Sequence, residues 1–216
     1  GITDGKRKIG EVTSGSVSPT LDKYIGLGYV PTGFSTPGTT LHIDDGRNFL
    51  LKSREKYDVI TMEPMPPALA GVSDMYTKGF YDLCREHMTP TGLMSQWVPL
   101  YYLTLDDVKM LYRTFAESFP HAMVFFYQFD TFLVGSQEPL KLSPKSFRER
   151  LVSERLVRDL ERLHLGTTEQ MFSTYLMGRE AMLAFAGDVP IVTDDRPLVE
   201  FTGPKAVDMS TTAMNY

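Results

Sequence analysis

Four polar positions fall where an open α/β sheet would place chemistry. Asp44 and Asp45 follow the short apolar stretch Leu41–Ile43, Glu63 follows Tyr57–Met62, and Gln96 stands near the end of Gly92–Val98. In open sheets of this kind ligands bind beyond the carboxyl ends of the strands, so polar side chains leaving successive strands meet at one rim. A carboxylate there accepts hydrogen bonds from an exocyclic amine or a ribose hydroxyl. A second carboxylate takes the proton from an attacking amine. Aspartate also serves turns and helix N-caps, and for Asp44 and Asp45 both readings stay open. Glu63 runs from an apolar strand straight into Pro64 and has no evident capping duty, so a functional role accounts for it better.

The other signals for chemistry are weaker. Gly26-Leu27-Gly28 lacks the third glycine of a nucleotide loop and sits between the wrong elements. His42, His87, His121 and His164 are scattered without ligand spacing, so no metal site is expected. Cys84 lies on the apolar face of a helical pattern and reads as a small core residue. The stretch from Arg148 to Arg162 mixes both signs of charge and reads as a solvated helix face. Asp194-Asp195-Arg196-Pro197 is either a tight turn or a carboxylate pair near the cleft.

The elements that would position these groups can be read from periodicity. In the first forty residues, Lys8 to Thr13 alternates like a strand, Ser14-Gly15-Ser16 reads as a turn, and Ser18-Pro19 predicts a short helical turn near 19–24. Ile25 to Val30 reads as a second strand. Beyond residue 41, strands and helices alternate. Leu41–Ile43 is a short strand, followed by a helix through Phe49, Leu50 and Leu51. Tyr57–Met62 reads as a continuous apolar strand of a buried parallel sheet. Tyr76, Phe80, Leu83, Cys84 and Met88 fall at helical spacing, despite Gly79. Gly92–Val98 is a strand, and Thr104 caps a helix with the stripe Val108, Leu111, Tyr112, Phe115 and Phe119. Ala122–Tyr127 and Thr131–Val134 form a hairpin about Asp130. The remainder reads as helices: one from Ser143-Pro144, one with Leu156, Leu160 and Leu163, one with Met171, Phe172, Tyr175 and Leu176, and one with Met182 and Phe185. The fold class expected is α/β with a parallel sheet.

Composition narrows the function. The 216 residues are 42% hydrophobic and 23% charged, which suits a globular chain and not a disordered one. The 22 basic and 27 acidic residues give a net charge of −5, which argues against a nucleic-acid partner. No apolar run of about 18 residues suggests a membrane span. A single cysteine excludes a disulfide framework and fits a reducing compartment, so a cytoplasmic location is expected. No leader is apparent, and a first residue of Gly1 points to a processed product or a piece of something longer.

Longer motifs carry a resemblance. Asp45-Gly46-Arg47-Asn48-Phe49-Leu50, Tyr57-Asp58-Val59-Ile60 and Met75-Tyr76-Thr77-Lys78-Gly79-Phe80-Tyr81 are followed by Thr89-Pro90-Thr91-Gly92-Leu93 with Gln96-Trp97-Val98-Pro99-Leu100. Thr193-Asp194-Asp195-Arg196-Pro197-Leu198-Val199-Glu200-Phe201 closes the series. From about 42 to 205 the chain thus resembles the later part of spermidine synthase-like aminopropyltransferases. The resemblance implies a Rossmann-like fold of the S-adenosylmethionine-dependent methyltransferase type. It implies transfer of an aminopropyl group from decarboxylated S-adenosylmethionine, or a related nucleotide, to a small-molecule amine, with no metal. By motif position, Asp45 with Gly46 matches the pair that contacts adenine. Glu63 matches the catalytic aspartate that deprotonates the amine. Gln96 is expected on the substrate side. Pro66 stands where the family carries a second aspartate that holds the diamine, a charge-assisted contact of about 1.5–3 kcal/mol.

Residues 1–41 resemble a different family. Gly10-Glu11-Val12-Thr13-Ser14-Gly15-Ser16-Val17-Ser18-Pro19-Thr20-Leu21, Ile25-Gly26-Leu27-Gly28-Tyr29-Val30 and Gly38-Thr39 are similar to the C-terminal barrel of the glycine cleavage T-protein, an aminomethyltransferase. The expectation is a fusion near Leu41-His42-Ile43: a β-rich fragment over 1–41, a truncated Rossmann-like α/β domain over 42–205 and a tail over 206–216. The glycine-rich nucleotide loop of the second family is absent from the matched region. An exposed sheet edge and a homo-oligomer, or a missing N-terminal half, are therefore expected. Three functions are set side by side: an incomplete aminopropyltransferase, a non-catalytic interaction or structural protein, and a folate-dependent aminomethyltransferase fragment.

Overall fold

In this computed structural model the described residues are 2–4, 8–18, 23–39, 42–43, 46–69, 71–151 and 154–203. Their contacts divide the chain into two compact units, Gly1–Arg54 and Glu55–Tyr216.

The first unit holds strands β1 (Ile2–Thr3), β2 (Lys8–Ser18), β3 (Lys23–Tyr29) and β4 (His42–Ile43), a 3-10 turn at Thr32–Phe34 and helix α1 (Gly46–Lys52). The strands form one antiparallel sheet in the order β3-β2-β1-β4. Ser14-Gly15-Ser16 is not a turn: it lies within β2, facing Leu27, Gly26 and Ile25 of β3. The ladder satisfies backbone groups that turn chemistry satisfies only locally, and the conflict survives as a register shift between Val12 and Ser14. Of the helical turn expected near 19–24, Lys23 and Tyr24 belong to β3 and residues 19–22 lie outside the described residues. β4 pairs with β1, Ile43 opposite Ile2. Helix α1 groups with this unit and not with the α/β part.

The second unit is built on β5 (Tyr57–Met62), β6 (Met88–Pro99), β7 (His121–Tyr127), β8 (Asp130–Ser136) and β9 (Tyr175–Gly178). Its helices are α2 (Lys78–Glu86), α3 (Leu105–Ser118), α4 (Pro144–Arg150), α5 (Glu154–Arg162), α6 (Thr168–Ser173), α7 (Arg179–Ala186) and α8 (Leu198–Thr202), with a 3-10 turn at Ser73–Tyr76. The sheet order is β5-β6-β8-β7-β9. Only β5 and β6 run parallel; β6/β8, β7/β8 and β7/β9 are antiparallel. The α/β class stands, but the sheet is mixed and not parallel throughout. The reason is the hairpin of β7 and β8, where Tyr127 faces Asp130 and reverses the chain within the sheet. Tyr175 and Leu176 are not helical: they open β9, where Tyr175 faces Phe125.

One face of this sheet is dry. Ile60, Met94, Val98, Val124 and Leu133 lie buried on it beneath α2 and α3. Thr77 caps α2 by accepting from Phe80 N, and Thr104 and Asp107 form a capping box at α3. The Tyr81, Phe115 and Phe119 rings stack between helices and sheet, with centroids 5.1 Å apart for Tyr81–Phe115 and 4.8 Å for Phe115–Phe119. Gly135 makes room for them: a Cβ there would stand 2.5 Å from the Phe119 ring. The opposite face is only half covered, at Leu93, Phe125 and Phe132. β5 is not the strand of a buried sheet that is expected, because among the described residues it has a neighbour on one side only. Ile60 alone of its residues is buried, and Val59 is 59% exposed.

The segment from Val192 to Thr202 ties the two helix starts together. Lys78 N donates to Val192 O at 2.9 Å, and Val192 N donates to Thr114 Oγ1 at 2.9 Å. The Asp194 carboxylate accepts from the Thr77 hydroxyl, and Arg196 N donates to Thr193 O at 3.0 Å to close the turn. Asp194-Asp195-Arg196-Pro197 is thus the tight turn. The Thr202 hydroxyl donates to Asp107, and Ser73 Oγ donates to Glu200 Oε2 at 2.7 Å.

Gly79 is needed for this arrangement, since a Cβ there would lie 2.3 Å from an Asp194 carboxylate oxygen. In open space Gly79→Ala would gain about 1 kcal/mol of helix propensity. Here overpacking against the carboxylate, at roughly 1–3 kcal/mol, offsets it, and urea denaturation should show a net loss of up to about 2 kcal/mol. A second test uses Tyr112, whose hydroxyl burial pushes up to about 12 against a smaller opposing pull from Thr131. The folded protein holds that proton after the unfolded chain has released its own near pH 10. Stability is therefore complete below pH 10 and falls as pH rises from 10 to 12, by roughly 2–3 kcal/mol for this group. Tyr112→Phe should reduce that alkaline loss in denaturation curves recorded across the same range.

Candidate functional site

The parallel pair decides where polar groups emerge. Met62 is in register with Gln96, so β5 and β6 deliver Glu63 and Gln96 to the same end of the sheet. Side chains alternate along a strand, so Met62 and Gln96 share a face and Glu63 leaves on the other. Glu63 is exposed, and Gln96 is fully buried.

On the buried side, Gln96 Nε2 donates to Trp97 O at 3.3 Å, while Gln96 Oε1 has no hydrogen-bond partner. The Tyr76 hydroxyl beside it is equally buried and unpartnered. Burial drives the Tyr76 hydroxyl well above the ordinary tyrosine value, and the adjacent Gln96 amide pulls it back in part. The two groups are neighbours that do not reach hydrogen-bonding geometry. An unsatisfied buried acceptor costs about 1–3 kcal/mol, so this corner of the core is destabilised.

On the exposed side a second carboxylate appears. Asp130 opens β8 directly opposite Pro99 of β6, and its Oδ1 is buried without a hydrogen-bond partner. Tyr101 lies beside it. Its ring lies 6.4 Å from Trp97 and 5.2 Å from Tyr102, centroid to centroid. The Tyr101 hydroxyl is raised first by burial, then by the Asp130 carboxylate, then by Tyr102 and Glu63. Tyr102 takes a φ of 61°, a left-handed conformation uncommon outside glycine. Glu63 and Asp130 therefore flank the end of β6 from its two neighbouring strands, roughly 10 Å apart across the sheet by strand spacing. Two carboxylates beside aromatic faces suit a cation, through charge and cation–π attraction. Either carboxylate can also take a proton from an amine.

Glu63 and Gln96 thus reach the same sheet end on opposite faces. Asp44 and Asp45 lie outside the described residues, and Gly46 begins α1 of the first unit. Three groups went unnoticed in the sequence as site residues. Asp130 passed for a hairpin tip and Tyr76 for a core residue. Tyr101 carried one available signal, since Pro99-Leu100-Tyr101-Tyr102 follows the end of an apolar strand. Among the described residues, no three His, Cys, Asp or Glu side chains gather as a metal site. No helix among them is long and apolar enough to cross a membrane.

Residues 1–52 match the family model of the glycine cleavage T-protein C-terminal barrel domain. Across most of the chain the homologues are different. A polyamine aminopropyltransferase of Korarchaeum cryptofilum is 31% identical over 206 residues, covering 89% of this chain. One from Nitrosomonas europaea is 28% identical over 144 residues, covering 62% of this chain. The chain is similar to polyamine aminopropyltransferases. It spans 62% of the Korarchaeum protein and 43% of the Nitrosomonas protein. A match covering 89% of the chain must overlap residues 1–52, so both likenesses share part of the N-terminal segment. Among solved structures, a probable spermidine synthase from Corynebacterium glutamicum superposes with a TM-score of 0.49 at 18% identity, over 71% of this chain and 53% of that one.

Gln96 gives this subsection its test. Gln96→Met removes the unpartnered Oε1 from the core and keeps a flexible side chain of similar length. The thermal midpoint should hold or rise, as expected when a buried unsatisfied group is replaced by an apolar one. A loss of more than roughly 1 kcal/mol would mean that Gln96 is satisfied in solution.

Proposed function

We propose that this chain carries the amine side of an aminopropyl-transfer site. The donor is decarboxylated S-adenosylmethionine or a related nucleotide, and the acceptor is a small linear amine. In the reaction, the neutral amine nitrogen attacks the carbon next to the sulfonium. The new C–N bond takes its electrons from nitrogen, and the broken C–S bond leaves its pair on sulfur as a neutral thioether. The proton released by nitrogen passes to Glu63. Asp130, with Tyr101 beside it, holds a second ammonium group of the acceptor. It thereby supplies the charge that Pro66 cannot. By motif position, Asp45 and Gly46 are the residues this reading assigns to the adenine. The observation that carries this reading is the pair of carboxylates, Glu63 and Asp130, at the end of β6 from its two neighbouring strands, both acting on the Tyr101 hydroxyl.

Two further features belong to the same reading. The open edge of β5 is where an additional strand pairs, from a second copy in a homo-oligomer or from a longer product. The single cysteine, Cys84, is in keeping with a reducing compartment such as the cytoplasm, which this reading takes as the location. A non-catalytic binding role is the second reading, favoured by the exposure of Glu63 and the proline at position 66.

Thermal-shift measurement with methylthioadenosine, the thioether product, tests the nucleotide half. At 100 times its dissociation constant a ligand adds about 2.7 kcal/mol, so a clear upward shift is expected. Turnover of a labelled donor with a linear diamine tests the chemistry. Glu63→Gln should cut the rate at least about 100-fold and leave the thermal shift intact. Asp130→Asn should raise KM for a diamine and leave KM for a monoamine unchanged. A thermal shift without turnover would select the binding role. Absence of both would end the proposal.

A further inference from the structure

Away from that rim, β7, α4 and α6 enclose a cavity of about 690 Å³. Its size falls within the range of small-molecule sites, roughly 300–1,000 Å³. Phe125 of β7 forms its floor on the half-covered face of the sheet. Phe147 of α4 and Phe172 of α6 line it together as a packed pair, their rings edge to face with centroids 6.1 Å apart. All three rings are half-buried, so apolar surface remains open to a guest. Leu142, 43% exposed, continues the apolar wall to the mouth.

The mouth is cationic. Lys141 and Arg150 both line the cavity and are exposed. Of the nearby cations, Lys145 lies 3.9 Å from Glu149 and Arg162 lies 3.5 Å from Asp159. Among the described residues, Lys141 and Arg150 have no carboxylate partner. Three aromatic rings behind two uncompensated cations are complementary to a molecule with an apolar body and one anionic end. An apolar guest without charge would leave the cations unmatched, and a cationic guest would be repelled.

We propose that this cavity binds an amphipathic organic anion, with its apolar body against Phe125, Phe147 and Phe172 and its anionic group between Lys141 and Arg150. The site is separate from the Glu63 rim and does not depend on the aminopropyl-transfer reading.

Fluorescence titration of the full chain with anilinonaphthalene sulfonate, an aromatic anion, tests it. The expected result is saturable binding to one site, displaced by decanoate and not by decylammonium. Lys141→Glu and Arg150→Glu, both on exposed side chains, should each weaken binding about fivefold, the weight of one exposed charge contact. Their circular-dichroism melting curves should match the parent. Phe172→Ala should weaken binding as well, and Phe172→Leu serves in its place should the smaller side chain fail to fold. Unchanged affinity in both charge reversals, or equal displacement by decylammonium, would overturn the proposal and leave a plain apolar surface.

Discussion

The second unit depends on one packing constraint: its sheet is sealed on a single face. α2 and α3 lie across that face, and Tyr81, Phe115 and Phe119 fill the layer between. Each large ring buries on the order of 150–250 Å² and dominates such a layer. The contact is close enough that β8 needs a glycine, Gly135, beneath Phe119. Everything at the rim inherits its position from this layer. α2 begins at Thr77 because the Asp194 turn holds that residue, and α3 begins at Thr104 because Asp107 caps it and Thr202 ties it down.

The same one-sidedness explains the chemistry on offer. A polar side chain aimed at the sealed face is desolvated and must find an internal partner. Gln96 and Tyr76 are aimed there, and part of their hydrogen-bonding capacity goes unused. A side chain aimed at the other face keeps contact with water. Glu63 stands exposed on that side; Asp130 stands there too, with one carboxylate oxygen buried, near Tyr101, whose ring meets Trp97. Two carboxylates near aromatic rings are complementary to a cation, and this complementarity is what the amine-transfer proposal builds on. The half-covered face also accounts for the aromatic cavity at Phe125, where α4 and α6 shield part of the sheet that α2 and α3 do not reach.

Much of this was legible from residue patterns. Thr104 as a cap, the stripe from Val108 to Phe119, the hairpin of β7 and β8 and the helix start at Ser143-Pro144 all follow local rules, and local rules govern caps and turns. The misreadings share a cause. Ser14-Gly15-Ser16 joined a strand, and Tyr175 and Leu176 left a helix for β9, because pairing partners distant in sequence claimed their backbones. Tyr57–Met62 read as a buried strand because of Tyr57, Val59, Ile60 and Met62, whereas burial depends on having neighbours on both sides. Leu156 and Leu163 fall at helical spacing yet stay exposed, since periodicity marks a face without supplying anything to cover it.

By itself the sequence determined the alternation of strands and helices, the caps that start α3 and α4, and the placing of Glu63 and Gln96 at the ends of successive strands. Those features are set within a few residues by side-chain spacing and by hydrogen bonds to nearby backbone. Only the tertiary structure decided that the sheet is mixed, that β5 is its edge, and that Glu63 and Gln96 leave on opposite faces. It alone brought Asp130 from a distant hairpin to Tyr101, giving the rim its second carboxylate. Register between strands fixes which groups become neighbours, and register is a long-range property that no short window of residues contains.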